Sequence, residues 1–469
     1  MSSLFDATKT FGYTENGALT HTTSGSALVD LFSRGGAMRG RQEEFLDLFM
    51  KAYAEDRVKA LQVLLYLRDC RSGQGEKAVF RNTLQALKED LDGQALLEAV
   101  DEYGCYKDLF EILTPQEAAK VIGPVIAQHK DTKTYSLLEK WMPSVTGARA
   151  SYGKSLAKCL GMKEKEYRKY LSEARAQLKV TEPLLCSNRW SEVDYPKVTS
   201  GVQAKYGDAF MRHDGDRYRE YLKSVREGKA KINASVLYPY QIYDLALEKA
   251  PNAEELWNAL PDYTDGRNAL VVADVSGSMT WGSFGSVLPI TVSVSLALYF
   301  AERNKGIFHG EFITFSDYPK FHKIMGDTLY ERMDNICNAD WGGSTNLQAV
   351  FSLVLNAAVS NSIPVSEMPS AIYIISDMEF NYCTHGTNLD GIREQYAQAG
   401  YPMPKLVFWN VNSRQANVAA SSDEHDVALV SGCSPSVFKL ALSDGLNPVK
   451  FMEDAIGPYK EMASRLLKA

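Results

Sequence analysis

The sequence feature that most constrains the fold is the stretch LVVADVSGSMTW at residues 270–281. An apolar run ends there abruptly in Asp274, Ser276 and Ser278, three side chains that carry oxygen. The pattern predicts a buried strand that presents these side chains at its carboxyl end. Because ligands bind outside the carboxyl ends of strands in open α/β sheets, the stretch predicts an α/β fold with a binding site at that edge.

Two later stretches bring further oxygen ligands to the same edge. WGGSTNLQAV, at residues 341–350, has Thr345 in a loop before a helical pattern, and AIYIISDMEF, at residues 371–380, is a second apolar strand that ends in Asp377. Carboxylate, hydroxyl and water oxygens suit Mg²⁺, Mn²⁺ or Ca²⁺ rather than zinc or copper. The three stretches therefore predict a divalent-cation site, with Mg²⁺ favoured. Ser and Asp also cap helices and fill turns, which is the alternative interpretation of the first loop.

This pattern resembles the metal-ion-dependent adhesion site (MIDAS) of the von Willebrand factor A (vWA) domain. Asp274, Ser276 and Ser278 match the D-x-S-x-S motif of that family. Thr345 matches its loop threonine, and Asp377 matches its later loop aspartate. The resemblance implies that the first four residues are metal ligands and that Asp377 binds directly or through water. It also implies an open metal position, which a carboxylate or another oxygen of a partner fills.

The C-terminal part of the chain alternates between strands and helices. We predict strands at residues 269–273, 311–315, 371–376, 405–411 and 427–431, with 321–325 beside the second of them. We predict helices at residues 288–303, 347–359, 391–399 and 449–467. Strands that are almost continuously apolar and separated by helices indicate a doubly wound, mostly parallel, Rossmann-like sheet that is covered on both faces.

The N-terminal part has a helical pattern almost throughout. Apolar residues recur at three- and four-residue spacing in segments that include 42–53, 57–67 and 76–91. Successive helical hairpins predict a HEAT-like α-solenoid or an irregular helical bundle, although no exact repeat period is visible. The first residues are rich in Gly, Ser and Thr, as a flexible arm would be. The predicted domains are the arm, the helical-repeat domain and the A-type domain, at residues 1–41, 42–262 and 263–469.

Several stretches of the helical region resemble the Ro-type (TROVE) proteins and the related DUF2828 family. LRDCRSGQGEKAVFRNTLQAL, YGCYKDLFEIL and LLEKWMPS are similar to both, whereas TEPLLCSNRWSEVDYPKV and KINASVLYP favour the DUF2828 pattern. The resemblance implies a helical-repeat body whose ends are bridged by the A-type domain. In Ro proteins such a body forms a ring that binds the ends of misfolded small RNAs and structured partner RNAs.

Composition points to a cytoplasmic protein with an uneven charge. The seven cysteines are odd in number, widely spread and without a C-x-x-C pair, which is typical of reduced thiols. No apolar run is long enough for a membrane helix, and the first residues lack the pattern of a secretory signal. Residues 1–250 contain 37 Lys and Arg and 34 Asp and Glu, whereas residues 251–469 contain 14 Lys and Arg and 24 Asp and Glu. The most basic stretch, residues 151–231, contains 18 Lys and Arg and 11 Asp and Glu. This asymmetry is compatible with an anionic partner for one of the halves, and the alternative interpretation is an ordinary solvated helical surface.

The site residues do not form an acid–base constellation, so we predict that the protein is not an enzyme. A haloacid-dehalogenase-like phosphotransferase needs a second carboxylate where Ser276 stands. The G-x-S-x-G elbow of serine hydrolases is absent, and Glu379 is the only spare carboxylate near the site.

The sequence therefore favours two possible functions. The first is binding of structured or misfolded small RNA in a ribonucleoprotein, as the Ro resemblance implies. The alternative is a protein-recruitment scaffold, without RNA, whose metal captures an acidic residue of a partner. A third possibility is an assembly component of a virus or of another large complex. None of the three involves a membrane.

Overall fold

The computed structural model describes residues 11–280, 287–316, 318–342, 345–380 and 389–468. The chain divides into two compact units. The first, here called the sheet unit, comprises Met1–Val63 and Ala234–Gly457. The second, here called the helical unit, comprises Leu64–Asn233 and Pro458–Ala469. The predicted domain boundaries at residues 41 and 262 follow sequence pattern rather than spatial contact, and they stay a prediction.

The described residues contain eight strands and twenty-one α-helices. The strands are β1 (Phe11–Tyr13), β2 (Leu19–His21), β3 (Leu270–Ala273), β4 (Glu311–Thr314), β5 (Phe321–Lys323), β6 (Ala371–Ser376), β7 (Lys405–Asn410) and β8 (Val427–Ser431). The helices are α1 (Ala27–Gly35), α2 (Gln42–Glu55), α3 (Arg57–Arg68), α4 (Ala78–Ala86), α5 (Gly93–Glu102), α6 (Tyr106–Ile112), α7 (Pro115–Thr132), α8 (Leu137–Trp141), α9 (Ala150–Cys159), α10 (Glu164–Gln177), α11 (Thr181–Cys186), α12 (Ser200–His213), α13 (Gly215–Arg226), α14 (Pro239–Leu247), α15 (Ala253–Asn258), α16 (Pro289–Arg303), α17 (Leu329–Cys337), α18 (Leu347–Ser360), α19 (Leu389–Gln398), α20 (Pro448–Ile456) and α21 (Lys460–Leu466).

Six of the strands form the main sheet, in the order β5-β4-β3-β6-β7-β8. All neighbouring pairs are parallel except β4 and β5, which are antiparallel. The prediction of a mostly parallel sheet is therefore confirmed. The strand order runs outward in both directions from the β3–β6 pair, so this pair is the topological switch point, where doubly wound sheets bind their ligands.

The central strands are buried because their sequences are apolar along their whole length. Every residue of β3 and of β6 is buried, as expected for parallel strands that are covered on both faces. Helix α16 packs against β3, β4 and β6, and eleven of its residues are buried. Pro289 stands at its N-terminus, where a missing N–H costs no hydrogen bond.

Residues 11–35 contain regular structure, whereas the sequence predicts a flexible arm there. Strands β1 and β2 form a hairpin, and seven residues of α1 are buried where the helix packs on β7 and β8. The hairpin turn contains Asn16-Gly17, a dipeptide that favours tight hairpin turns. Gly17 has a φ of +84°, which glycine adopts without strain. The Asn16-Gly17 dipeptide could have predicted the hairpin, but the Gly and Ser content of the surrounding residues favoured the prediction of a flexible arm.

Two predicted helices are shorter than their sequence pattern. The helix predicted at 76–91 begins only at Ala78, because the amides of Gln74 and Glu76 donate to carbonyls at the end of α3. The helix predicted at 449–467 is divided into α20 and α21 by a 3₁₀ turn at Gly457–Tyr459. Pro458 lies in that turn and has no amide hydrogen to donate to an α-helix.

The helical unit has a buried charged cluster in its core. The carboxylate of Asp108 is fully buried and lies 2.6 Å from the guanidinium groups of both Arg68 and Arg81. The hydroxyl of Tyr459 donates to Asp69 at 2.9 Å, which joins the C-terminal segment to this unit. No helix in the described ranges combines the length and the apolarity that a membrane crossing requires.

Candidate functional site

The two aspartates of the predicted site lie at the switch point of the sheet. Ala273, the last residue of β3, pairs with Ile375 of β6, and the amide of Asp274 donates to the Ile375 carbonyl at 3.1 Å. Asp377 follows directly after β6. Both carboxylates therefore emerge from adjacent parallel strands at their carboxyl ends, as the sequence predicts.

Asp274 is fully buried and is held by hydroxyl and amide donors. Its Oδ1 accepts a hydrogen bond from the Ser276 amide at 2.8 Å, and its Oδ2 accepts one from the Ser376 hydroxyl at 2.5 Å. Burial, followed by the negative charge of Asp377, raises the pKa of Asp274 to about 6. Both of these donors are neutral, so they stabilise the carboxylate through their dipoles.

The two serines of the first loop lie side by side. The Ser276 and Ser278 hydroxyl oxygens are 3.0 Å apart. Mg²⁺ binds oxygen at about 2.1 Å in an octahedron, so two adjacent ligand oxygens would be about 2.9 Å apart. The observed separation therefore fits one edge of such an octahedron. The Ser278 side chain also lowers the pKa of the Asp377 carboxyl group, so the two loops interact electrostatically.

Asp377 is buried and, unlike Asp274, has a cationic partner. Its Oδ1 accepts from the Glu379 amide at 3.2 Å, and its Oδ2 lies 3.2 Å from the Arg414 guanidinium. Burial raises the pKa of Asp377, although Ser278 and Arg414 act in the opposite direction. In the part of the chain that the structure describes, the two buried carboxylates thus share one cation in direct contact, Arg414.

Thr345 is buried and lies one residue before Asn346, whose side chain caps α18. Gly342, three residues earlier, lies close to the end of β4, because a Cβ on Gly342 would lie 2.4 Å from the Ser316 Cβ. Strand β4 is the neighbour of β3, so Gly342 lies at the same edge of the sheet. The predicted position of Thr345, in a loop before a helix, agrees with the structure.

Sequence reasoning missed the residues that surround Asp377. Arg414 also lies 2.9 Å from the carboxylate of Glu15, in the turn between β1 and β2. The amide of Glu15 donates to the Glu379 carboxylate at 2.7 Å, and Asn417 donates to its other oxygen at 3.0 Å. The N-terminal hairpin is thereby joined to the loop after β6, over a sequence separation that no local pattern can reveal.

The donor set of the site consists of hydroxyls and two carboxylates. Among the described residues there is no group of three or more His, Cys, Asp and Glu side chains arranged to hold a metal ion. A cation here would therefore depend on the Ser and Thr hydroxyls and on water. Such oxygen ligands suit hard cations such as Mg²⁺.

The chain thus combines a helical N-terminal region with a mostly parallel, six-stranded sheet in its C-terminal part. A model of the DUF2828 family, a domain of unknown function, matches residues 14–125 and 152–264. The predicted DUF2828 resemblance is therefore confirmed. A model of DUF7788, a second domain of unknown function, matches residues 268–461, where the sequence predicts a vWA domain. The vWA assignment stays a prediction.

The chain is also similar to two individual proteins. It is 29% identical over 510 residues to Uncharacterized protein L728 of Acanthamoeba polyphaga mimivirus, with 95% of this chain and 87% of that protein covered. The crystal structure of the Ro (RSR) protein of Deinococcus radiodurans matches with a TM-score of 0.37 and 15% identity, over 92% of this chain and 93% of that one.

Proposed function

We propose that this is a non-enzymatic interaction protein that binds a partner through a divalent cation. Mg²⁺ is the favoured ion, and Mn²⁺ or Ca²⁺ would also suit the oxygen donors. The cation is held by four ligands and by Asp377, directly or through water; the four ligands are Asp274, Ser276, Ser278 and Thr345. In this proposal the sheet is of the vWA type, and an open metal position accepts a carboxylate of a partner protein.

The observation that carries this proposal is that two buried carboxylates, Asp274 and Asp377, lie at the switch point together with the adjacent hydroxyls of Ser276 and Ser278. Within the described ranges their contacts include one cation, Arg414, so negative charge remains that a divalent cation would neutralise. The 3.0 Å separation of the two serine hydroxyls supports the same interpretation.

The contacts of Glu379 favour a structural role for this carboxylate. Its two oxygens accept hydrogen bonds from the Glu15 amide and from Asn417. Glu379 therefore ties the N-terminal hairpin to the loop after β6. The metal would orient and bind a partner oxygen rather than activate a nucleophile.

The proposal is tested by titrating the metal-free protein with Mn²⁺ and Mg²⁺ by calorimetry. We expect one site in the wild type and no site in Asp274→Ala. The matched control is Asp454→Ala, which removes an exposed aspartate from α20 of the same unit and should leave binding unchanged. Absence of saturable binding by the wild type at millimolar metal would refute the proposal.

A second candidate function is the binding of structured small RNA by a HEAT-like helical unit, in a cytoplasmic ribonucleoprotein. It rests on the division of charge between the units. The helical unit holds 32 Lys and Arg against 25 Asp and Glu, whereas the rest of the chain holds 19 against 33. A net positive unit attracts phosphate, and binding through it would weaken steeply with salt.

This candidate is tested on natively purified protein by its ratio of absorbance at 260 and 280 nm, followed by sequencing of any bound nucleic acid. We expect a discrete RNA to copurify with the wild type and equally with Asp274→Ala. Preparations of both that are free of RNA at low salt would remove the candidate and leave the carboxylate-bearing protein as the partner.

A further inference from the structure

The helical unit contains a cavity of about 420 Å³ that neither proposal uses. It is lined by the end of α10, by α11 and by residues of two 3₁₀ turns, Trp190–Glu192 and Tyr195–Lys197. Its volume falls within the range of about 300–1,000 Å³ that is typical of small-molecule sites. Apolar side chains of α11 form part of its wall, and the charged side chains are Arg175, Lys179, Arg189, Lys197, Glu192 and Asp194.

The two acidic residues of the cavity are already neutralised by two of its cations. Arg189 donates to both carboxylate oxygens of Glu192, at 2.6 and 2.5 Å. Lys197 donates to Asp194 at 2.5 Å. These pairs are local, between residues three apart, so they are formed without any ligand. The charge that remains to attract a ligand is that of the other two cations.

Those two cations are Arg175 and Lys179. Arg175 is partly buried and donates to neutral oxygens, the Ser144 hydroxyl at 3.1 Å and the Met142 carbonyl at 2.8 Å. The negative charge of Glu182 acts on Arg175, but Glu182 already has a cationic partner, because the Lys140 ammonium lies 3.9 Å from its carboxylate. Lys179 is exposed, and the part of the chain that the structure describes offers its ammonium no hydrogen-bond or ion-pair partner.

We infer that this cavity binds a nucleotide through its phosphate. A phosphate monoester carries close to two negative charges and would neutralise both remaining cations, through the charge-assisted hydrogen bonds that Arg and Lys form with phosphate. The rest of the volume, with its apolar wall along α11, accommodates the base and ribose. The phosphate can belong to a free nucleotide or to the terminal nucleotide of an RNA strand. Only the second source rests on the RNA candidate above.

The backbone conformation at Lys179 allows its charge to be removed without strain in the fold. Its φ is +51°, a left-handed conformation that glycine adopts at lower cost than lysine. Lys179→Gly therefore removes the ammonium without harming the fold. Lys133 is the matched control, because it is also exposed, has a φ of +55°, follows a helix of the same unit and does not line the cavity. Lys133→Gly makes the same change in charge and backbone elsewhere.

The three full-length proteins are titrated with adenosine monophosphate and with a short oligoribonucleotide that carries or lacks a 5′-phosphate. We expect the nucleotide to bind about ten- to a hundredfold more weakly to Lys179→Gly, the effect of one charge-assisted hydrogen bond, and with unchanged affinity to Lys133→Gly. Equal weakening in both variants would mean diffuse attraction and would overturn the inference. Absence of saturable nucleotide binding by the wild type would overturn it as well.

The RNA arms identify the source of the phosphate. Competition between the nucleotide and the 5′-phosphorylated strand, but not the unphosphorylated one, assigns the cavity to an RNA end. Nucleotide binding without RNA binding would support the inference, with a free nucleotide as the ligand of the cavity, and would refute only the proposed RNA-binding function. Equal RNA binding by all three proteins, together with no nucleotide binding, would refute the inference and leave the proposed RNA-binding function standing.

Discussion

Replacing Asp274 by asparagine should stabilise the metal-free protein at neutral pH, and the gain should depend on pH. The carboxyl group has an ordinary pKa of 3.8 and a pKa of about 6 in the folded protein. The difference is about 2 pH units, and each unit corresponds to about 1.4 kcal/mol. Ionising this buried group therefore costs the folded state about 3 kcal/mol, which an uncharged amide does not incur.

Whether stability rises or falls with pH depends on which state, folded or unfolded, binds the Asp274 proton more tightly. The folded state has the higher pKa, so the stability of the wild type is greatest below pH 3.8 and falls as the pH rises to about 6. Above pH 6 the penalty is fully present. The amide also changes hydrogen bonds to Ser276 and Ser376, which adds an offset independent of pH. The stability of Asp274→Asn minus that of the wild type should therefore rise by about 3 kcal/mol from pH 3.5 to pH 7.5.

The assay is urea unfolding in EDTA, followed by tryptophan fluorescence, since Trp257 and Trp409 are buried in the sheet unit. Asp454→Asn makes the same change at an exposed position of α20 and is the matched control. A stability difference for Asp274→Asn that is equal at pH 3.5 and pH 7.5 would refute the reasoning. Saturating Mg²⁺ should then stabilise the wild type, by about 2.7 kcal/mol at a hundred times its Kd, and leave Asp274→Asn unchanged.

Three further predictions concern the same residues and the core of the helical unit. Arg414→Gln should bind Mg²⁺ about tenfold more tightly by calorimetry, because it removes the cation that competes for Asp377; equal or weaker binding would contradict this. Mg²⁺ affinity of the wild type should fall as the pH drops below about 6, because protons compete for Asp274. An affinity that does not change between pH 8 and pH 5 would exclude that residue as a ligand. Asp108→Asn should destabilise the helical unit by about 3–5 kcal/mol in urea unfolding, because it leaves Arg68 buried without its counter-charge; a loss below 1 kcal/mol would contradict this.

The sequence was most informative where the pattern is set by one element alone. The bounds of β6 and β8 agree with the prediction, and those of β3 and β7 differ by one residue, because a fully buried strand is apolar from end to end. The places of Asp274 and Asp377 followed directly, since each residue continues a strand whose bounds were predictable. What such patterns lack is any information on which distant segments meet.

The errors and omissions all involve such distant or competing contacts. The start of α4 is set by hydrogen bonds from residues 74 and 76 to the end of α3, which outweigh the helical periodicity of residues 76–91. The partner of Asp377 is Arg414, 37 positions later, and Arg414 also pairs with Glu15, which precedes it by 399 positions. An ion pair of this kind depends on the tertiary fold, so residue type and spacing could not predict it.

The two aspartates differ in the charge of their hydrogen-bond partners, and this difference bears on their roles. Asp274 accepts from two neutral donors, the Ser276 amide and the Ser376 hydroxyl. Asp377 accepts from the Glu379 amide and also from the Arg414 guanidinium, whose charge already balances that of the carboxylate. We therefore expect Asp274 to bind the cation directly and Asp377 to act through water unless Arg414 is displaced. A direct role for Asp377 would require that ion pair to break, which would weaken the link between the metal site and Glu15 of the N-terminal hairpin.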